Sequence, residues 1–216
     1  MKATTEIVFI LDRSGSMAGL ESDTIGGFNA LIEKQKRQGS AARISLILFD
    51  DQTDVVLDRV PIMQVGALSE DEYYVRGCTA LLDAVGKSVT HISGLHQSMK
   101  KENRPEKTLF IITTDGMENS SQEYSLSQVK NLIEKQKERY HWEFLFLGAN
   151  IDAVKTADSM GIRANRSANF HADEKGLMKK FKAIDSAISK IQGMEELDDD
   201  WAAELNADYD QRKKGE

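Results

Sequence analysis

Apolar residues run along this chain in two rhythms. Short, nearly continuous runs appear as "TTEIVFIL" (4–11), "RISLILF" (43–49), "TDVVLDRV" (53–60), "TLFIITT" (108–114) and "WEFLFLG" (142–148), with a weaker one near "RANRSANF" (163–170). Runs apolar almost throughout are what strands covered on both faces look like. The run at 53–60 differs, because it carries Asp54, Asp58 and Arg59 and follows its neighbour after only "DDQ". Three residues cannot make a crossover, so it is predicted as an antiparallel hairpin partner at an edge.

Between these runs the apolar period lengthens to that of a helix. Ile25, Phe28, Leu31 and Ile32 form one face, ended by Gly39. Leu81, Leu82, Val85, Val89, Ile92 and Met99 form a second, and Leu126, Val129, Leu132 and Ile133 a third. A short helix is expected over 151–160, stopping at Gly161. A longer one is marked by Leu177, Phe181, Ile184, Ile188 and Ile191, with Asp173 as its N-cap. Strands alternating with helices predict a doubly wound, mostly parallel α/β sheet. In "GMEELDDDWAAELNADYDQRKKGE", Trp201, Leu205 and Tyr209 fall at i, i+4 and i+8 on an otherwise charged segment. That stripe suits a docked C-terminal helix, or a partner-binding segment.

Composition narrows the function. The 216 residues are 40% hydrophobic and 29% charged, enough for one α/β domain with a real core. The net charge of −7 is uneven. Residues 1–190 hold 25 basic and 26 acidic groups, and residues 191–216 hold 3 and 9, so the division expected is a near-neutral domain over 1–190 and an acidic tail over 191–216. No basic stripe marks a nucleic-acid binder, and no apolar run reaches the roughly 18 residues of a membrane span. One cysteine, Cys78, rules out an internal disulfide framework, and the N-terminus lacks a signal-peptide pattern, so a cytoplasmic protein is expected.

The chemistry collects where strands end, the place where open α/β sheets bind ligands. "LDRSGS" follows the first strand, "RGCTALLD" opens the second helix and "ITTDGMENSS" follows the fourth strand. Together Asp12, Ser14, Ser16, Thr79 and Asp115 offer only oxygen donors, which suit Mg²⁺ or Mn²⁺ better than zinc or copper. Two carboxylates and three neutral hydroxyls leave a divalent ion electron-poor and receptive to a carboxylate from another protein.

Asp12-Arg13-Ser14-Gly15-Ser16 as D-x-S-x-S, Thr79 after "RGC" and Asp115 in "TDG" resemble the metal-ion-dependent adhesion site of the von Willebrand factor A domain, in order and approximate spacing. The resemblance covers roughly residues 4–190 and is strongest to stand-alone bacterial and phage A-domain proteins. It implies a Rossmann-like six-stranded sheet with one antiparallel edge strand and helices on both faces. Ser14, Ser16 and Thr79 would bind the ion through hydroxyls, with Asp12 and Asp115 acting mostly through water. It also implies a last helix that can shift on ligand binding, and a partner such as an AAA+ ATPase system or a stress or phage component.

Other chemistries fit less well. "VGKS" (85–88) lacks the glycine of a phosphate loop, where Leu81 stands, and "RSGSM" lacks the glycine frame of a nucleophile elbow. No H-E-x-x-H occurs among His91, His96, His141 and His171, and Ser14 takes the place of the second acid that a haloacid-dehalogenase-type enzyme needs. Arg13 and Arg76 are read as steering an acidic partner or as solvated surface residues, Glu118 and Asn119 as turn formers, and Cys78 as a small packed residue. The leading expectation is a non-enzymatic, cation-dependent protein-binding module. The alternatives are a metal-dependent phosphoesterase-like enzyme and an assembly protein with a vestigial site. "EELDDD" is a further candidate, as an internal ligand for the site of a neighbouring copy or its own.

Overall fold

The computed structural model describes residues 4–193 and 195–214. Its centre is one six-stranded sheet of β1 (Thr5–Asp12), β2 (Ala42–Phe49), β3 (Thr53–Pro61), β4 (Lys107–Thr114), β5 (Glu143–Gly148) and β6 (Ser167–Asn169). The order is β3-β2-β1-β4-β5-β6, parallel except for β3 against β2. The chain winds outward from β1 in one direction and from β4 in the other. The two strands are therefore neighbours across the switch point, and their carboxyl ends open the crevice where such sheets take ligands.

Helices α1 (Glu21–Arg37), α5 (Glu174–Gln192) and α6 (Ala203–Lys213) lie on one side, and α2 (Leu81–Ser98), α3 (Leu126–Tyr140) and α4 (Ala153–Ser159) on the other. Strand β1 is buried on both faces: Ile7, Phe9 and Leu11 point into the α1–α5 layer, Val8 and Ile10 into the α2–α3 layer. That two-sided burial is why its sequence shows no polar alternation. Helix α1 has acids in its first turn and Lys34, Lys36 and Arg37 in its last, complementing its dipole. A Ser125–Gln128 capping box starts α3, and the Asp173 carboxylate caps α5 by accepting from the Gly176 N–H at 2.8 Å.

Three expectations need correction. The sixth strand is only Ser167–Asn169, because Ala164–Arg166 closes into a 3₁₀ turn. Trp201 precedes α6 rather than riding on it, buried with its indole N–H donating to the Asn165 carbonyl at 3.0 Å. The third inward position of α6 is Asp208, held by Lys175 and Lys179 of α5, while Tyr209 is half-buried. Ion pairs therefore complete a docking that one leucine, Leu205, could not supply alone. The stretch 198–200 sits beside the start of β6, at the amino end of the parallel strands, where Asp198 pairs with Lys190 and Asp199 with Arg166. It is fastened at the opposite edge from its own candidate site, so it is no internal ligand there.

Two adjacent glycines of α1 test the α1–α5 contact. A Cβ on Gly27 would lie 2.2 Å from the Phe181 ring, whereas one on Gly26 meets nothing within 4 Å. Gly26→Ala should stabilise by about 0.5–1 kcal/mol through helix propensity. Gly27→Ala should instead destabilise by about 1–3 kcal/mol through overpacking. Urea denaturation of the two variants checks this, and equal shifts would contradict the packing.

Candidate functional site

Asp12 ends β1 with its carboxylate 1% exposed. One oxygen accepts the Ser14 N–H at 2.7 Å and the other the Thr114 hydroxyl at 2.5 Å, so the acid bends the chain out of the sheet and ties β1 to β4. The turn that follows carries Ser14 and Ser16 with hydroxyls 3.2 Å apart. Thr79, just ahead of α2, donates to the Ser14 hydroxyl at 3.1 Å, and Ser16 donates to Asp115 Oδ1 at 2.5 Å. All five residues singled out in the sequence thus converge, the Ser16–Asp115 bond spanning 99 positions.

The space among them is built as a cradle. A Cβ at Gly116 would fall 2.9 Å from Thr79 Oγ1, 3.2 Å from Ser16 Oγ and 3.8 Å from Ser14 Oγ, so glycine keeps that position clear beside the three hydroxyls. Asp115 Oδ2 is buried with no hydrogen-bond partner. Burial raises both the Asp12 and Asp115 pKa; hydrogen bonds from Ser14 and Thr114 oppose this at Asp12, and one from Ser16 at Asp115. Two desolvated carboxylates, one with an orphaned oxygen, are a demand for positive charge. The donors are all hard oxygens, so the residues present fit Mg²⁺ or Mn²⁺. No group of three or more His, Cys, Asp or Glu side chains gathers for a metal among the described residues, so such an ion would depend on the hydroxyls.

Several supporting residues were not foreseen. Tyr73 donates its buried phenol to the Asp12 carbonyl at 2.6 Å, and burial pushes that phenol's pKa up, so it stays a donor. Asp83, in the first turn of α2, accepts the N–H groups of Gln122, Glu123 and Tyr124 at 2.7–2.9 Å. Glu118 accepts from the Leu82, Ser120 and Ser121 N–H groups, and Asn119 exchanges bonds with the Thr79 backbone at 2.9 and 3.1 Å. Glu118 and Asn119 lie in irregular backbone, and their bonds strap the loop after β4 onto Thr79 and the start of α2.

Neither reading of the arginines holds. Arg13 is 2% exposed and pairs with Asp50 and Asp54, while half-buried Arg76 pairs with the same two acids; both guanidiniums face the Tyr74 ring. Burial works against the Asp50 charge, but hydrogen bonds from Arg76, the Gln52 N–H and Arg13 outweigh it and hold the pKa down. The arginines brace the rim and are already neutralised. Cys78 is exposed, not packed.

One charged side chain remains beneath the cradle. Lys180 of α5 is 1% exposed, with its ammonium 4.9 Å from the Phe170 ring and 4.6 Å from the Phe181 ring. Burial pulls its pKa down to about 8, against the attraction of Asp115 and then Asp12.

With this topology and this site the chain has the fold of a von Willebrand factor A domain. No family model matches its sequence, and no curated protein does either. Solved structures do match. The von Willebrand factor domain of the type V pili tip protein Mfa5 from Porphyromonas gingivalis superposes with a TM-score of 0.65 at 10% identity, over 92% of this chain and 99% of that one. Manganese-loaded TRAP protein of Plasmodium vivax gives 0.55 at 19% identity, over 83% and 74%. Proximal thread matrix protein 1 from the mussel byssus gives 0.61 at 14% identity, over 85% of this chain but only 45% of its own length.

Asp83→Ala removes the acceptor of three backbone N–H groups and should cost about 1–3 kcal/mol. Hydrogen exchange over residues 116–124 should quicken more than over β1 or β5. Unchanged exchange in that loop would show that Asp83 does not hold it.

Proposed function

We propose that the protein is a binding module that captures an aspartate or glutamate of a partner protein through a divalent ion, Mg²⁺ or Mn²⁺, held by Ser14, Ser16 and Thr79 with Asp12 and Asp115 behind them. The observation that carries this reading is the unpartnered, buried Asp115 Oδ2 beside three clustered hydroxyls that leave no room for a Cβ at Gly116. A hard cation would supply the missing positive charge, and its remaining coordination position would take a carboxylate oxygen. One of the similar structures, TRAP, is described as manganese-loaded.

This chain's own residues would do the rest. Asp12 and Thr114 fix the two strand ends, and the Asp83 and Glu118 loop bonds fix Thr79 against Ser14. Binding is favoured over turnover because the histidines offer no base at the site. His91 faces Asp58, His96 lies against Glu6 and Trp142, His171 lies against Tyr209, and His141 ends α3 at the other edge. The similar structures reported above are described as pilus-tip, matrix and TRAP proteins. A cytoplasmic location fits a lone, exposed cysteine with no second cysteine to pair with. No helix among the described residues is long and apolar enough to cross a membrane.

The test is retention of host proteins on the immobilised chain in Mg²⁺ against EDTA, with Ser14→Ala and Asp12→Ala as controls. Partners held in Mg²⁺ and lost in EDTA and in both variants are expected, whereas retention indifferent to all three would leave the assembly role. Thermal melts give a second arm. Because the folded-state pKa of Asp115 is raised, its contribution is fully present below the unfolded value and is lost as pH rises through the folded one. Above that raised pKa the metal-free protein therefore carries an unfavourable charge that Asp115→Asn relieves. That variant should melt no lower than wild type in EDTA and lose the Mg²⁺-dependent rise in Tm; a rise that persists would contradict a role for Asp115.

A further inference from the structure

Helix α5 packs on β4, the strand that delivers Asp115, and its one inward lysine, Lys180, sits at the carboxyl end of the sheet. Its ring partner Phe170 follows β6, and the Phe170 N–H donates to the carbonyl of Gly148, the last residue of β5, which fixes that height in the fold. The side chain is 1% exposed, and among the described residues its contacts are the two rings, with no hydrogen bond or ion pair. A lysine is almost never buried so completely without a partner, and an aromatic pocket alone only partly offsets the lost hydration. What remains to hold the charge is the field of Asp115 and Asp12.

We propose that Lys180 is an internal counter-cation of the candidate metal site, one that weakens binding of the bare ion and strengthens capture of a carboxylate by the loaded site. The inference rests on the metal reading above. Its physics is a charge count. Two carboxylates and one ammonium leave a net −1, which a divalent ion converts to +1, so the loaded site still calls for an anion. Without Lys180 the same site would go from −2 to neutral, holding the ion more tightly and an incoming carboxylate less. Because coupling is reciprocal, ion and acidic partner then reinforce each other's binding. The site would fill when both are present rather than with either alone.

The test uses Lys180→Met, which keeps the length and apolar stem, with Lys180→Gln as a second variant, each checked for folding by circular dichroism. Titration with Mn²⁺ should show about tenfold tighter binding than wild type, and titration of the Mn²⁺-loaded variants with acetate should show about tenfold weaker binding. A merely structural role would weaken both, so the opposed signs carry the claim. Mn²⁺ affinities within twofold of wild type, or losses in both titrations, would overturn it. Should neither variant fold, a wild-type Mn²⁺ affinity independent of added acetate still overturns the proposal. A wild type that binds no Mn²⁺ at all overturns the metal reading itself and this inference with it.

Discussion

Two buried carboxylates at the ends of adjacent parallel strands are the constraint around which this molecule is arranged. Asp12 and Asp115 sit where β1 and β4 part company, and neither is open to water. A charge in that position must be hydrogen-bonded, paired or moved to its neutral form. Asp12 takes hydrogen bonds from Ser14 and Thr114, Asp115 takes one from Ser16, and the demand left over is expressed as an orphaned oxygen and raised pKa values. The parallel sheet makes the crevice; the buried acids give it a demand for positive charge.

The loops follow from the same constraint. Ser14, Ser16 and Thr79 can cluster only if their segments are held, and both segments are braced from outside. Tyr73 holds the Asp12 carbonyl, Asn119 the Thr79 backbone, and Asp83 and Glu118 the loop after β4. On the rim, Arg13 and Arg76 share Asp50 and Asp54, so their charges are used in bracing the loops. Lys180 has no such paired acid among the described residues; its ammonium lies against the Phe170 and Phe181 rings and is attracted by Asp115 and Asp12.

Much of this was legible in the residues. Runs such as "IVFIL" and "LFIIT" announce strands covered on both faces, and the three-residue hairpin fixed β3 as the antiparallel edge. The convergence of the five candidate residues was legible because strand ends in such sheets meet, whatever their distance along the chain. What failed were features set by contacts between segments. Arg13 is buried because Asp50 and Asp54, 37 and 41 positions away, arrive beside it. Trp201 leaves the α6 stripe because Asn165 offers a carbonyl, and Asp208 enters it because two lysines of α5 face it. Lys180 had a signal that went unread: it stands three residues after Leu177 and four before Ile184, on the apolar face of α5.

The central claim is that Ser14, Ser16, Thr79, Asp12 and Asp115 surround a cation. Anomalous diffraction from crystals grown with Mn²⁺ tests it most directly. The account predicts one strong peak within about 2–2.5 Å of the Ser14, Ser16 and Thr79 hydroxyls, and its loss in crystals of Gly116→Ala. A map with no peak there, or a peak held by other residues, would contradict it.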